Sequence, residues 1–207
     1  FKKNSKLKKN VSSAIFSNDG EAVILSKNNT KGLFLKGYFD NDFKNFDIVK
    51  NEYFVGSKRL KEFDISIGKE LSFNLELEVG DAITIMSPVG IQTIVGSLPK
   101  QQIFKVSSIF DSGLSDFNEN IAYINLKTLE SLFEKKTNLR FLEYYFKNPK
   151  DIHSYKIELS STHQNNYIFT WADLNKSLFS ALKVERNVMF IIISLIIVVA
   201  AFNIISG

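Results

Sequence analysis

His153 and His163 are the only imidazoles in the chain, and cysteine is absent. Both histidines lie in polar stretches with no second ligand at the spacings that hold zinc, so each reads as a surface residue. Without thiols there can be no disulfide and no thiolate metal centre, an absence that fits either side of a membrane. The stretch Gly96-Ser97-Leu98-Pro99-Lys100 lacks the spacing with which a glycine-rich loop cradles phosphate. No serine sits in a nucleophile-elbow pattern, and the carboxylates are scattered as on a solvated face. These residues carry no signal for catalysis, a metal or a bound cofactor. What remains is the chemistry of apolar contact.

Two segments offer that chemistry. The first, Pro88 to Gln102, reads PVGIQTIVGSLPKQQ, with two prolines, two glycines and almost no charge. Its Val89, Ile91, Ile94, Val95 and Leu98 either fold back over a sheet or stand on a hairpin whose arms extend past the sheet. In the second case Pro88 and Pro99 stiffen the arms and reduce the entropy lost when a partner docks. A small apolar patch framed by Lys100 and Gln101 marks a protein contact.

The second segment is the final twenty residues, Val188 to Gly207, which carry no charged side chain. Thirteen of the eighteen residues from Val188 to Ile205 are Val, Ile, Leu or Phe. As a helix they would span about 27 Å, against roughly 30 Å of bilayer hydrocarbon. Met189, Phe190, Ile193, Ile197 and Phe202 are the expected lipid-facing contacts. Upstream, Trp171, Leu174, Leu178 and Leu182 recur at helical spacing, and neither Gly nor Pro separates Ala172 from Ile205. The expectation is one unbroken helix from a folded domain into the bilayer, able to transmit torque or displacement.

The elements that must position these segments follow from pattern. VSSAIF, AVILS and GLFLKGYF read as a strand meander, with turns at Asn18-Asp19-Gly20 and at residues 27–30. Residues 40–64 have no clean period. A short helix from Gly68 to about Leu77 precedes a Val79-Gly80-Asp81 turn and the strand AITIMS. Then come strand IFKVSSIF, strand IAYIN, helix LKTLESLF, strand LRFLEYYF, a helix begun by Pro149, and a last strand NYIFTW. Strands alternating with helices indicate an α+β or α/β domain with room for an inserted lobe.

About 187 residues remain outside the span, enough for one large domain or two small ones, and nineteen Phe with seven Tyr supply core mass. The net charge of +4 is concentrated at Lys2, Lys3, Lys6, Lys8 and Lys9, a solvated end or a contact for anionic lipid. That end lacks the repeated basic-aromatic arrangement of nucleic-acid readers, so no nucleic-acid partner is expected. A start at Phe1, with no export signal, and an end on a span predict that the chain is a fragment with residues before Phe1. Orientation does not follow from charge, because Lys183, Glu185 and Arg186 leave only one net positive charge beside the span.

The run TWADLNKSLFSALKVERNVMFIIISLIIVVAAFNIISG resembles the junction of periplasmic domain and second membrane helix in lipoprotein-releasing ABC transporter permeases, the LolC/LolE family. The matching residues are Trp171, Asn175, Leu178, Phe179, Ala181, Leu182, Glu185, Met189 and Val199 to Ile205. IGKELSFNLELEVGDAITIMSP and IAYINLKTLESLF resemble further parts of that family, so the likeness covers roughly residues 65–207.

The resemblance implies an α+β fold like the periplasmic domain of the exporter MacB, with two lobes called Porter and Sabre, running into a transmembrane helix. Residues 1–171 would be that core domain, truncated at its N-terminus, with a protruding hairpin at about 87–102. Residues 172–187 would be a connecting helix and 188–207 the transmembrane helix of an incomplete permease domain. Coupling would fall to Trp171, Asn175, Leu178, Phe179, Leu182 and Glu185. It further implies a non-enzymatic, multi-pass subunit of the bacterial inner membrane with residues 1–187 in the periplasm. ATP would be bound by a separate LolD-like subunit, beside a second, identical or related permease. The complex would pass lipoproteins to a LolA-like chaperone. In the family a hairpin called the Hook engages LolA; here Ser87 to Gln102 takes its place, with Pro99, Lys100 and Gln101 matching its returning arm. A MacB-like or FtsX-like permease, or a binding or enzyme domain anchored by one span, are the competing readings.

Overall fold

A computed structural model describes residues 9–26, 29–93, 96–163 and 165–207. The chain divides into two units: Ser12–Tyr145, and Phe1–Val11 together with Phe146–Gly207.

The first unit is built on a mixed sheet with strands β1 (Val11–Leu25), β2 (Thr30–Tyr38), β3 (Val55–Gly56), β4 (Asp64–Gly68), β5 (Ala82–Thr93), β6 (Gly96–Phe110), β7 (Ile121–Asn125) and β8 (Phe141–Phe146). Their order is β2-β7-β4-β6-β5-β1-β8, with β3 on β6, and β1 also pairs β2. The pairing of β1 with both β2 and β5 closes six strands into a ring, which leaves β8 as the terminal strand. Short helices join them: α1 (Asp40–Phe43), α2 (Asp47–Lys50), α3 (Lys69–Asn74), α4 (Ser115–Asn120) and α5 (Leu126–Leu132).

Strand alternation sends side chains to two cores. Ala122 and Ile124 join Ile24, Leu35, Ile65, Ile67, Ile85, Phe104 and Phe133 in the main cluster. Tyr123, between them, faces a second cluster with Ile15, Tyr38, Phe43, Leu60 and Phe110. The second is largely aromatic: Tyr38 meets Phe46 edge-on with ring centroids 4.7 Å apart, and Phe110 lies 5.2 Å from Tyr123. Residues 40–64, patternless in sequence, supply this cluster from α1, α2 and the loop after them.

Two expectations are corrected. Asn18-Asp19-Gly20 is not a turn: β1 runs through it, pairing Asn18 with Gly37 and Gly20 with Leu35. Glycine is needed there for space, because a Cβ on Gly20 would stand 2.7 Å from the Phe133 ring. Asp64–Gly68, for which the sequence pattern predicts no element, is a strand between β6 and β7. The segment NYIFTW forms no strand; it runs irregularly with Tyr167 and Phe169 exposed, because no ladder partner is beside it among the described residues. The Val79-Gly80-Asp81 turn is present, with Gly80 at φ 111°.

The second unit contains a 3-10 turn, Pro149–Asp151, then α6 (Ile152–Thr162), α7 (Trp171–Leu174) and α8 (Lys176–Ser206). Phe146 stacks on Tyr155 at 4.3 Å, and Lys147 N–H donates to Asn10 O at 2.9 Å.

Candidate functional site

The β5–β6 ladder starts at Ala82–Lys105 and continues to Thr93–Gly96. On its outer sides, β1 pairs β5 only at Thr84 to Met86, and β4 pairs β6 from Lys105 onward. Among the described residues, therefore, the hairpin from Ser87 and Lys100 toward its tip is a two-stranded extension. A bulge between Ser87 and Gly90 accommodates Pro88 and Val89, and the Val89 N–H turns to Ser87 Oγ at 3.2 Å. Bulges bend and twist the bulged strand, so this one sets the departure angle of the arm.

The candidate side chains divide at this point. Pro88, Leu98, Pro99 and Gln101 are exposed, with Leu98 at 59%. Val89 is partly buried and packs on the main core, so the fold-back alternative holds for Val89. Lys100 Nζ donates to Ser131 O at 2.6 Å and lies 3.8 Å from Glu134, which ties the arm's root to the C-terminal end of α5. A cation there also meets the negative end of the helix dipole. Ile94 and Val95 lie outside the described residues, as does the side chain of Ile91.

Beside the root opens an apolar groove of about 520 Å³ lined by Ala22, Val23, Leu33, Phe34, Met86, Pro88 and Pro99, with Glu21 and Asn120. Only strand register brings β1 and β2 to this place, so no pattern in the sequence marked Val23, Phe34 or Met86. Among the described residues no three His, Asp or Glu side chains gather as a metal site. Such a surface suits binding an apolar partner.

In the second unit, α8 is the one helix among the described residues long and apolar enough to cross a membrane. Its 31 residues correspond to about 46 Å. Met189, Phe190, Ile193, Ile197 and Phe202 are all exposed on it, each more than 50%.

The unbroken helix expected from Trp171, and with it the 172–187 connecting helix, is corrected: the backbone leaves helical geometry at Asn175, with φ −109° and ψ 37°. The cause is local. Thr170 and Asp173 form a capping box that starts α7, and Asn175 Nδ2 donates to Trp171 O at 2.9 Å, competing with helix continuation. The joint is bridged, because Trp171 meets Phe179 edge-on at 5.4 Å and the Phe179 N–H donates to Asn175 O at 3.2 Å. Leu178, Phe179, Leu182 and Glu185 then lie exposed on the continuous part.

No family model matches the chain. A lipoprotein-releasing system transmembrane protein LolC of Xylella fastidiosa is 28% identical over 195 residues, which cover 91% of this chain and 46% of the relative. LolC of Neisseria meningitidis serogroup B is 30% identical over 148 residues, covering 70% of this chain and 36% of the relative. The periplasmic region of MacB from Actinobacillus actinomycetemcomitans superposes with a TM-score of 0.51 at 11% identity, covering 85% of this chain and 78% of that one. The chain is LolC-like in sequence and MacB-like in fold. This LolC-like chain spans about half the length of the curated relatives it matches, 46% in the first case. Its mixed α/β sheet core is like the MacB periplasmic region in fold, and among the described residues one C-terminal apolar helix is long enough to cross a membrane.

Proposed function

We propose that this chain is part of the permease subunit of an inner-membrane ABC transporter that releases lipoproteins to a periplasmic chaperone. The observation that carries the reading is LolC likeness over 91% of the chain, a stretch long enough that it must include the hairpin. Residues 1–187 stand in the periplasm, the extended β5–β6 arm receives a LolA-like chaperone, and a second permease and a separate LolD-like ATPase complete the complex. ATP is bound by that ATPase. Closure of the ATPase displaces α8, and the displacement passes through its continuous part from Ser206 to Lys176, then across the bridged joint at Asn175. The lipid-linked substrate then leaves the bilayer without its acyl chains crossing open water, where each exposed methylene costs about 0.8 kcal/mol. A protruding arm with exposed Leu98 and two prolines favours docking of a soluble partner over the MacB-like, FtsX-like and single-anchor alternatives.

The test is a site-specific crosslink from the arm of the full-length protein to the chaperone. Leu98→Asp is expected to reduce the crosslink at least tenfold while ATP hydrolysis by the assembled complex is unchanged. An undiminished crosslink removes the arm from the pathway, and a wild-type complex that hydrolyses ATP without releasing lipoprotein overturns the reading.

A further inference from the structure

The two units are joined covalently at only two places, between Val11 and Ser12 and between Tyr145 and Phe146. These crossings are the start of β1 and the end of β8, which are neighbours in the sheet. Any force that reaches the sheet through the backbone of the membrane-linked unit therefore enters by these two strands. Strand β8 is the terminal member of the sheet order, so its ladder with β1 and the bonds of its side chains hold it against the rest.

One side chain does so through two donors on other strands, with a third on β8 itself. Glu143 accepts from Ser17 Oγ of β1 at 2.5 Å, from the Tyr38 hydroxyl of β2 at 3.1 Å to each oxygen, and from the Tyr145 hydroxyl at 2.8 Å. Ser17 and Tyr38 are each only 2% exposed. Hydrogen bonds to an ionised acceptor are about twice as strong as neutral ones. The Tyr38 bond is the informative one, because it ties β8 to β2, a strand that is not its neighbour in the strand order. Tyr38 in turn is packed in the aromatic cluster against Phe46 and Tyr123. Burial, and after it the Glu143 charge, pushes the Tyr38 hydroxyl far above its ordinary range, so it stays a donor.

We propose that Glu143 is a positioning residue for transport: its carboxylate locks the two strands through which the units are joined, so that displacement reaches the hairpin-bearing sheet instead of being lost as slip of β8. The inference rests on the permease reading above.

Its test uses the full-length permease assembled with its ATPase in proteoliposomes, reading lipoprotein released per ATP hydrolysed. Glu143→Gln keeps the volume and removes the charge. Assembly, unfolding temperature and ATP hydrolysis are expected to stay within twofold or a few degrees of wild type, while release per ATP falls at least tenfold. Amide exchange of β8 should rise about tenfold alongside. Tyr38→Phe, which keeps the ring in the aromatic cluster and removes only the hydroxyl, is the second variant and should lower the same ratio several-fold even if the Gln variant does not assemble. Full release per ATP in Tyr38→Phe or in an assembled Glu143→Gln complex overturns the inference and leaves the permease reading standing. A wild-type complex that hydrolyses ATP and releases nothing overturns both.

Discussion

Replacing Gly20 by Ala distinguishes a packing glycine from a turn glycine. An added Cβ would lie 2.7 Å from two atoms of the Phe133 ring and 2.9 Å from a third. The contact must open by about 0.7 Å to become ordinary van der Waals contact. Phe133 is 6% exposed and part of the main core, so its ring has nowhere to withdraw without disturbing neighbours. Overpacking of this kind costs about 1–3 kcal/mol. Native-state hydrogen exchange of β4 and β7 amides in the full chain, held in detergent micelles, reports the opening free energy of this sheet. Gly20→Ala should lower it by that amount in wild type but by less than about 0.5 kcal/mol in a Phe133→Leu background, a coupling expected of residues in contact. Additive costs in the two backgrounds would refute the argument. So would tolerance of Gly20→Asn, since asparagine is at home in a left-handed turn but still carries a Cβ.

Two other outcomes follow from local geometry. Glu76 sits beyond the end of α3 at φ 52°, a conformation that disfavours any residue with a Cβ; Glu76→Gly should stabilise the sheet by about 0.5–1 kcal/mol in the same exchange experiment. Asp173 is held well below the usual carboxylate range, first by Lys156 Nζ at 2.7 Å and then by the Thr170 N–H and hydroxyl. A depressed pKa contributes stability that is fully present above the unfolded value of about 3.9 and is lost as pH falls through the native one. The Trp171–Leu174 amides should therefore lose protection as pH falls below about 4, and Asp173→Asn should remove that pH dependence.

Much of the fold was legible because each element's own residues carry its period. IAYIN, LKTLESLF and the Val79-Gly80-Asp81 turn stand where alternation, helical spacing and turn chemistry put them. The failures in the strands have one origin, in that the presence or absence of a pairing strand overrode local preference, whereas the break at Asn175 is local. Asn18-Asp19-Gly20 has turn residues, yet nine consecutive pairs with β2 hold it extended. NYIFTW has strand residues, but no strand pairs with it among the described residues. Asn175 looked like one more helical position, and a hydrogen bond to Trp171 made it a joint. At the candidate site, the hairpin was visible from its two prolines and two glycines, whereas Lys100's tie to Ser131 and the Glu143 cluster join residues 31 to 126 positions apart. No one-dimensional pattern encodes such contacts.

The prolines of the arm have a consequence for the molecule's behaviour in a crowded compartment. A ribbon that leaves its sheet presents bare peptide groups along both margins, and bare margins recruit further strands into fibres or swapped dimers. In β6, Lys105 directs its amide away from β5, to Phe63 O at 2.8 Å. Alternation places the nitrogen of Pro99, six residues earlier, on that same outer margin, where proline has no hydrogen to offer. On the opposite arm the bulge at Pro88 interrupts the margin of β5. An incoming strand thus meets a missing donor on one side and a broken register on the other. The arm can remain extended and apolar at high local concentration without seeding its own aggregation.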